Sequence, residues 1–204
     1  MALVVYKLGG SLLLLDELAA RLRAVLDQRP DDQPLIVVGG GSAADVVREW
    51  SVVHALSEVE AHWLAVRSLS LNRALVHRLL PESRAVSSRE DVLQRIDSRT
   101  PLLLDVEACL LAAEREQLCP LPKCWDVTSD SIAAWIAHDW AADELVLLKS
   151  TGLPDEPSLD VAAGRGVVDP HFPLVAPGVP RVSWCNLREA APQIVPWCGK
   201  PPVG

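Results

Sequence analysis

No run of about 18 uninterrupted apolar residues occurs in the chain, which argues against a spanning helix. The opening MALVVYKLGG has neither a basic n-region nor a small-residue cleavage site, so it does not read as a secretory signal, and a cytoplasmic location is expected. Basic blocks are lacking too: 19 Lys and Arg stand scattered against 27 Asp and Glu, for a net charge of −8. A chain with that balance is a poor electrostatic partner for nucleic acid or an anionic membrane. Any phosphate it holds must meet a few placed cations and backbone amides. The five cysteines (Cys109, Cys119, Cys124, Cys185 and Cys198) show no CxxC and no companion histidine. Small buried apolar residues describe them better than zinc ligands or disulfides. Neither GxxxxGK[ST] nor GxGxxG is present, which argues against a P-loop and a dinucleotide fingerprint.

What is present is a rhythm. Residues 2–8 are an apolar run, 12–28 carry apolar positions at three- and four-residue spacing, and RPDDQP breaks that helix before a second run at 34–38. Helical patterns follow at 42–57 and 57–80, then a short strand at 83–88 and a helix at 88–97 opened by a serine cap. A strand at 100–106, helices at 106–118 and 128–140, and a strand at 143–149 ending in a turn complete the regular part. Past Gly152 proline and glycine become dense, so loops are expected, with one or two strands (PRVSW) and a short helix near NLREAAPQI.

The strands are continuous apolar runs that alternate with helices, the pattern of a mainly parallel sheet covered on both faces. The expected fold is α/β, a three-layer α/β/α sandwich with a mainly parallel central sheet. Half of the 204 residues are hydrophobic, enough for one domain over residues 1–204. Ligands in such sheets bind beyond the carboxyl ends of the strands.

Three strand ends carry unusual chemistry. In Lys7-Leu8-Gly9-Gly10-Ser11, glycines let backbone amides approach a ligand and Lys7 can reach an anion; a tight turn with a solvated lysine explains the same residues. Gly39-Gly40-Gly41 follow the second strand, and three successive glycines are costly to order, so open backbone space beside an anion is the better reading. Asp45 and Arg48, three apart on the next helix, either form a surface pair or present Arg48 to a substrate anion. In Trp125-Asp126-Val127-Thr128-Ser129-Asp130-Ser131, hydroxyls and carboxylates exceed what one helix cap needs, and Asp130 can orient a lysine or help hold a metal-nucleotide. Together these loops describe phosphoryl transfer by positioning and charge neutralisation. His62 and Asn72 in the long helix have packing and substrate readings, Trp125 reads as core or lid, and Asp169-Pro170-His171-Phe172 as a turn or a ligand contact.

KLGGS, VVGGG and VTSDSIA, in that order, with LVLLKSTG after them, resemble the amino acid kinase family over residues 3 to about 152. The resemblance implies ATP with Mg²⁺ on its phosphates and no metal ligand from the protein. It makes Lys7 the residue that stabilises charge on the transferring group and Asp130 the one that orients the catalytic lysine or lysines. Gly9, Gly10, Gly40 and Gly41 would offer amides, with Ser11, Gly39, Asp45, Arg48, His62 and Thr128 around phosphate and substrate. Lys149, Thr151 and Gly152 would border the nucleotide, in a shortened nucleotide-binding part at about 125–204. GGGSAADVVR, AHWLAVRSLSLN, CWDVTSDSIA and VVDPHF are further similar to the small kinases of methanofuran biosynthesis. Those phosphorylate (5-aminomethyl-furan-3-yl)methyl phosphate to its diphosphate, so a small phosphorylated acceptor is implied. Family kinases are homo-oligomers, and the apolar helix at 58–80 suits an interface.

Two departures stand against the family pattern. Ser150-Thr151-Gly152 replaces an acidic DVDG-like loop, and no late lysine follows apart from Lys200, which leaves Lys149 as the candidate substitute. A non-catalytic ligand-binding module on the same fold, or a kinase for a nucleotide monophosphate or a carboxylate, therefore stands as the alternative.

Overall fold

The structure is a computed structural model that describes residues 2–96, 100–153 and 158–199; Lys200 and the end of the helix expected at 88–97 lie outside them. The described residues form one seven-stranded sheet, β1 (Leu3–Leu8), β2 (Gln33–Val38), β3 (Arg84–Val86), β4 (Leu102–Leu104), β5 (Glu144–Lys149), β6 (Arg181–Asn186) and β7 (Val195–Gly199). Their order is β3-β4-β2-β1-β5-β6-β7, and every pair is parallel except β6 with β7.

Alternation along the strands divides two cores. Val5, Val37, Leu145 and Leu147 face one, whereas Val4, Tyr6, Val38, Val146 and Leu148 face the other. Both sets are buried, which is why the strands read as unbroken apolar runs. Helix α1 (Leu18–Leu26) covers the second core with Leu18, Leu22 and Val25. Helices α3 (Glu58–Leu79), α5 (Val106–Arg115) and α6 (Ser129–Asp139) cover the first. Between them, α2 (Gly41–Val53) packs on α3, and α4 (Arg89–Gln94) follows β3.

The long α3 has a complete start signal. Ser57 Oγ accepts from the Glu60 amide while the Glu60 carboxylate accepts from the Ser57 amide, a capping box. Ser88 caps α4 in the way its sequence suggests, accepting from the Asp91 amide. Among the described residues no helix is long and apolar enough to cross a membrane.

Three expectations change. The leucines at 12–14 belong to a 3₁₀ turn (Gly10–Leu14) instead of the following helix, and Glu17, left-handed at φ 61°, separates that turn from α1. The tail is more regular than its proline content suggests, because α7 (Leu159–Gly164) is capped by Ser158, and α8 (Phe172–Val175) carries its proline in the first turn where no amide is needed. The helix expected near 186–194 does not form. Asn186 ends β6, and its side-chain oxygen accepts from the Arg188 amide at 3.1 Å, an Asx turn that competes with a helix start.

Candidate active site

The carboxyl ends of β1, β2 and β5 converge on the N-terminus of α6. Lys7 shares the parity of Val5, and Lys149 that of Leu145 and Leu147, so both side chains leave the sheet on the α6 face. They meet one carboxylate: Lys7 Nζ lies 2.8 Å from Asp130 Oδ1, and Lys149 Nζ donates to Oδ2 at 2.8 Å. The Lys7 contact is a buried ion pair. Lys149 also donates to the Val167 carbonyl and lies 5.7 Å from the centre of the Trp184 ring.

Lys7 and Asp130 are buried and the Lys149 side chain is only 13 % exposed, so the trio holds a net positive charge largely away from water. Burial opposes ionisation of Asp130, yet the charges of Lys149 and Lys7 overcome it and hold the carboxyl down at about 2. Burial, helped by the charge of Lys7, brings Lys149 down to about 8 despite Asp130. Such a trio attracts an anion, and a carboxyl held this low does not accept a proton at neutral pH.

Beside it opens a cavity of about 360 Å³, within the usual range for small-molecule sites. Lys7, Gly10, Ser11, Gly40 and Gly41 border it at the strand ends, while Ala65, Val66, Leu69, Val127 and Ile132 supply an apolar wall. Asp45 and Arg48 line it from α2, and His62, only 8 % exposed, from α3. The pair reading holds, because Arg48 bonds Asp45 at 3.0 Å; Arg48 also lies 4.7 Å over the Trp125 ring. That cation–π contact ties α2 to the loop before α6. Burial, with a smaller push from Lys123, lowers the pKa of His62, which leaves a neutral imidazole in the wall.

The glycines are explained by one another. A Cβ on Gly10 would stand 2.0 Å from the Gly41 nitrogen, and one on Gly41, at φ 50°, 2.5 Å from the Gly10 carbonyl oxygen. The two loops therefore touch, and side chains would hold them apart. The expectation that Gly9 and Gly39 serve a phosphate gives way here. Gly9 donates its amide to the Leu148 carbonyl and Gly39 donates to that of Leu8, so both extend the sheet. Thr151 and Gly152 are exposed and do not border the cavity; the Thr151 carbonyl accepts from Trp184 Nε1. Ser11 Oγ reaches Ser150 Oγ at 3.1 Å.

The sequence offers Asp169 as part of a turn or as a ligand contact, and its actual role is different. Its carboxylate accepts from the Thr128 amide and hydroxyl (2.9 and 2.8 Å), the Ser131 amide (3.0 Å), the Ser131 hydroxyl and the Phe172 amide (2.9 Å). It thus caps α6 from 41 residues beyond Thr128, whose own hydroxyl makes no cap. Its only sequence signal is an Asp-Pro pair in a proline-rich stretch.

A family model described as the amino acid kinase family matches residues 2–152. Uridylate kinase from Archaeoglobus fulgidus superposes with a TM-score of 0.60 at 19 % identity, over 90 % of this chain and 89 % of its own. UMP kinase from Ureaplasma parvum gives 0.65 at 13 % identity, over 94 % and 93 %. Aspartate kinase from Synechocystis gives 0.61 at 16 % identity, over 97 % of this chain but 41 % of its own. At such identities the structures establish likeness of fold. A search of curated proteins returned no match.

Proposed function

The chain belongs to the amino acid kinase family and is a kinase; from that premise we propose that it moves the terminal phosphoryl group of ATP to a small acceptor that already bears a phosphate. The observation that carries this reading is the pair of buried lysines on one carboxylate, beside a cavity closed by two touching glycine loops.

The buried positive trio fits a triphosphate. In this reading Mg²⁺ would be held by the phosphate oxygens of the nucleotide. When bound, ATP supplies the phosphoryl group and its Mg²⁺ offsets phosphate charge. Lys7 neutralises charge developing on that group, and Asp130 fixes both lysines. Lys149 takes the place of the late lysine that the family pattern leads one to expect. Asp130 is unable to accept a proton, which favours an acceptor that arrives ionised, as a phosphate monoester does.

Within that class, (5-aminomethyl-furan-3-yl)methyl phosphate is the acceptor we favour. Three stretches that carry the finer resemblance supply the cavity wall, through Gly41 and Arg48, His62 and Val66, and Trp125 and Thr128. The fourth supplies Asp169. An apolar wall suits a furan ring, and Asp45 gives a counter-ion for its ammonium group. Self-association belongs to the same proposal, with Leu71 and Leu75 exposed on α3, and sedimentation tests it.

The test measures ADP release from ATP and Mg²⁺ with this furan phosphate, a nucleoside monophosphate and an amino acid carboxylate, with ³¹P NMR to identify a diphosphate product. Turnover on the furan phosphate is expected. Nucleotide binding without turnover across the panel refutes the kinase reading and leaves a ligand-binding module; turnover confined to another acceptor refutes the furan alone.

A further inference from the structure

Asn72 stands outside the cavity, yet it touches the backbone that borders it. It projects from α3, is 7 % exposed, and donates through Nδ2 to the carbonyls of Gly39 and Gly40, each at 2.7 Å. One amide nitrogen carries two hydrogens, so both bonds are made together. Facing two carbonyl oxygens, the side chain has only one sensible orientation, with its nitrogen toward them.

The consequence lies in peptide geometry. The carbonyl of a residue and the amide of the next share one plane and point in opposite directions. With the Gly39 and Gly40 carbonyls drawn to Asn72, the Gly40 and Gly41 amides must point away from it. Gly40 and Gly41 border the cavity and Asn72 does not, so those two amides leave on the side of the loop opposite α3. Gly41 opens α2 and has no preceding helical turn to receive its hydrogen.

We propose that Asn72 is a positioning residue for phosphoryl transfer, holding the Gly40 and Gly41 amides on the transferring group. This rests on the kinase reading above. The alternative is that Asn72 only fills space between α3 and the loop, and Asn72→Leu separates the two, since it keeps nearly the same shape and removes both donors. Removing a preorganised donor of this kind lowers kcat by about 100-fold or more, so that loss is expected. KM for ATP and for the acceptor should stay within about threefold, as for an interaction made in the transition state. Ser70→Ala, on the same helix but bonded to Glu107, is the control and should leave kcat unchanged. If the Leu variant does not fold, Asn72→Ala is read in the same way.

A second measurement does not depend on turnover. In ¹⁵N-labelled protein, added pyrophosphate should move the Gly40 and Gly41 amide resonances of the wild type and not those of Asn72→Leu. A kcat of Asn72→Leu within about threefold of wild type, or amides that stay still in the wild type or move equally in both proteins, overturns the proposal. If the wild type turns over no acceptor, the kinase reading falls, and pyrophosphate still decides the role of Asn72.

Discussion

Replacing Asp130 by asparagine removes one buried negative charge and almost no volume. Two ammonium groups, Lys7 and Lys149, each 2.8 Å from that carboxylate, are then left close together in a site largely shielded from water. Removing one partner of a buried pair costs about 3–5 kcal/mol, because the uncompensated charge remains. Titration gives a separate figure. Asp130 has a folded pKa of about 2 against an ordinary value near 4, and each unit is worth about 1.4 kcal/mol, so its ionisation contributes about 2–3 kcal/mol. Its pKa is depressed on folding, so this contribution is complete above about pH 4 and disappears as pH falls through 4 to 2. The substitution should cost at least as much as the titration, since the amide is as neutral as the protonated carboxyl. Urea unfolding at pH 7 should show the midpoint falling at constant m, by an amount equivalent to about 3–5 kcal/mol. Asp130→Asn with Lys149→Met should recover part of that loss, because the second change removes one stranded charge. A loss below about 1 kcal/mol, or a double variant no more stable than the single one, would refute the coupling of the three charges.

Further outcomes follow from the same geometry. Lys149 loses its proton at about pH 8, so kcat/KM should fall on the basic side near that pH, and Lys149→Arg should carry the limb upward. Gly10→Ala should lower the melting temperature and abolish turnover, as its methyl would meet the Gly41 backbone at 2.0 Å; thermal unfolding of the otherwise unchanged chain checks this. Asp169→Ala strips the start of α6 of its acceptor and should cost about 1–3 kcal/mol in urea unfolding, with kcat falling because α6 carries Asp130. Trp125→Ala releases Arg48 and should raise KM for the acceptor more than KM for ATP, measured at saturating co-substrate.

The centre of the sheet was legible because β1, β2, β4 and β5 are buried apolar runs, and helix starts were legible from caps, as Ser57 and Ser88 show. Lys7 and Asp130 could be singled out because charge at a strand end and at a helix start is conspicuous. The role of Lys149 was within reach, since parity alone puts it on the face of Lys7 once β1 and β5 are known to be neighbours. That adjacency depends on sheet order, which no local pattern encodes. The glycines were read as space for a ligand, but Gly10 and Gly41 leave room first for each other, a contact between loops 31 residues apart in the chain. Asn72 and Asp169 act through backbone groups brought from elsewhere, so their own neighbours in sequence reveal little of either role.

The tie from Asp169 to α6 bears on how such a chain can change over time. The recognisable family part ends at residue 152, whereas the clasp on its key helix comes from the region after it. Val167, two residues before that clasp, also takes a hydrogen bond from Lys149. A carboxylate that returns to the start of α6 is therefore one demand on the stretch beyond residue 152, beside the β6 strand that pairs with β5. A hybrid joined at residue 152 to an unrelated tail would inherit both lysines and Asp130 without the group that holds their helix in place.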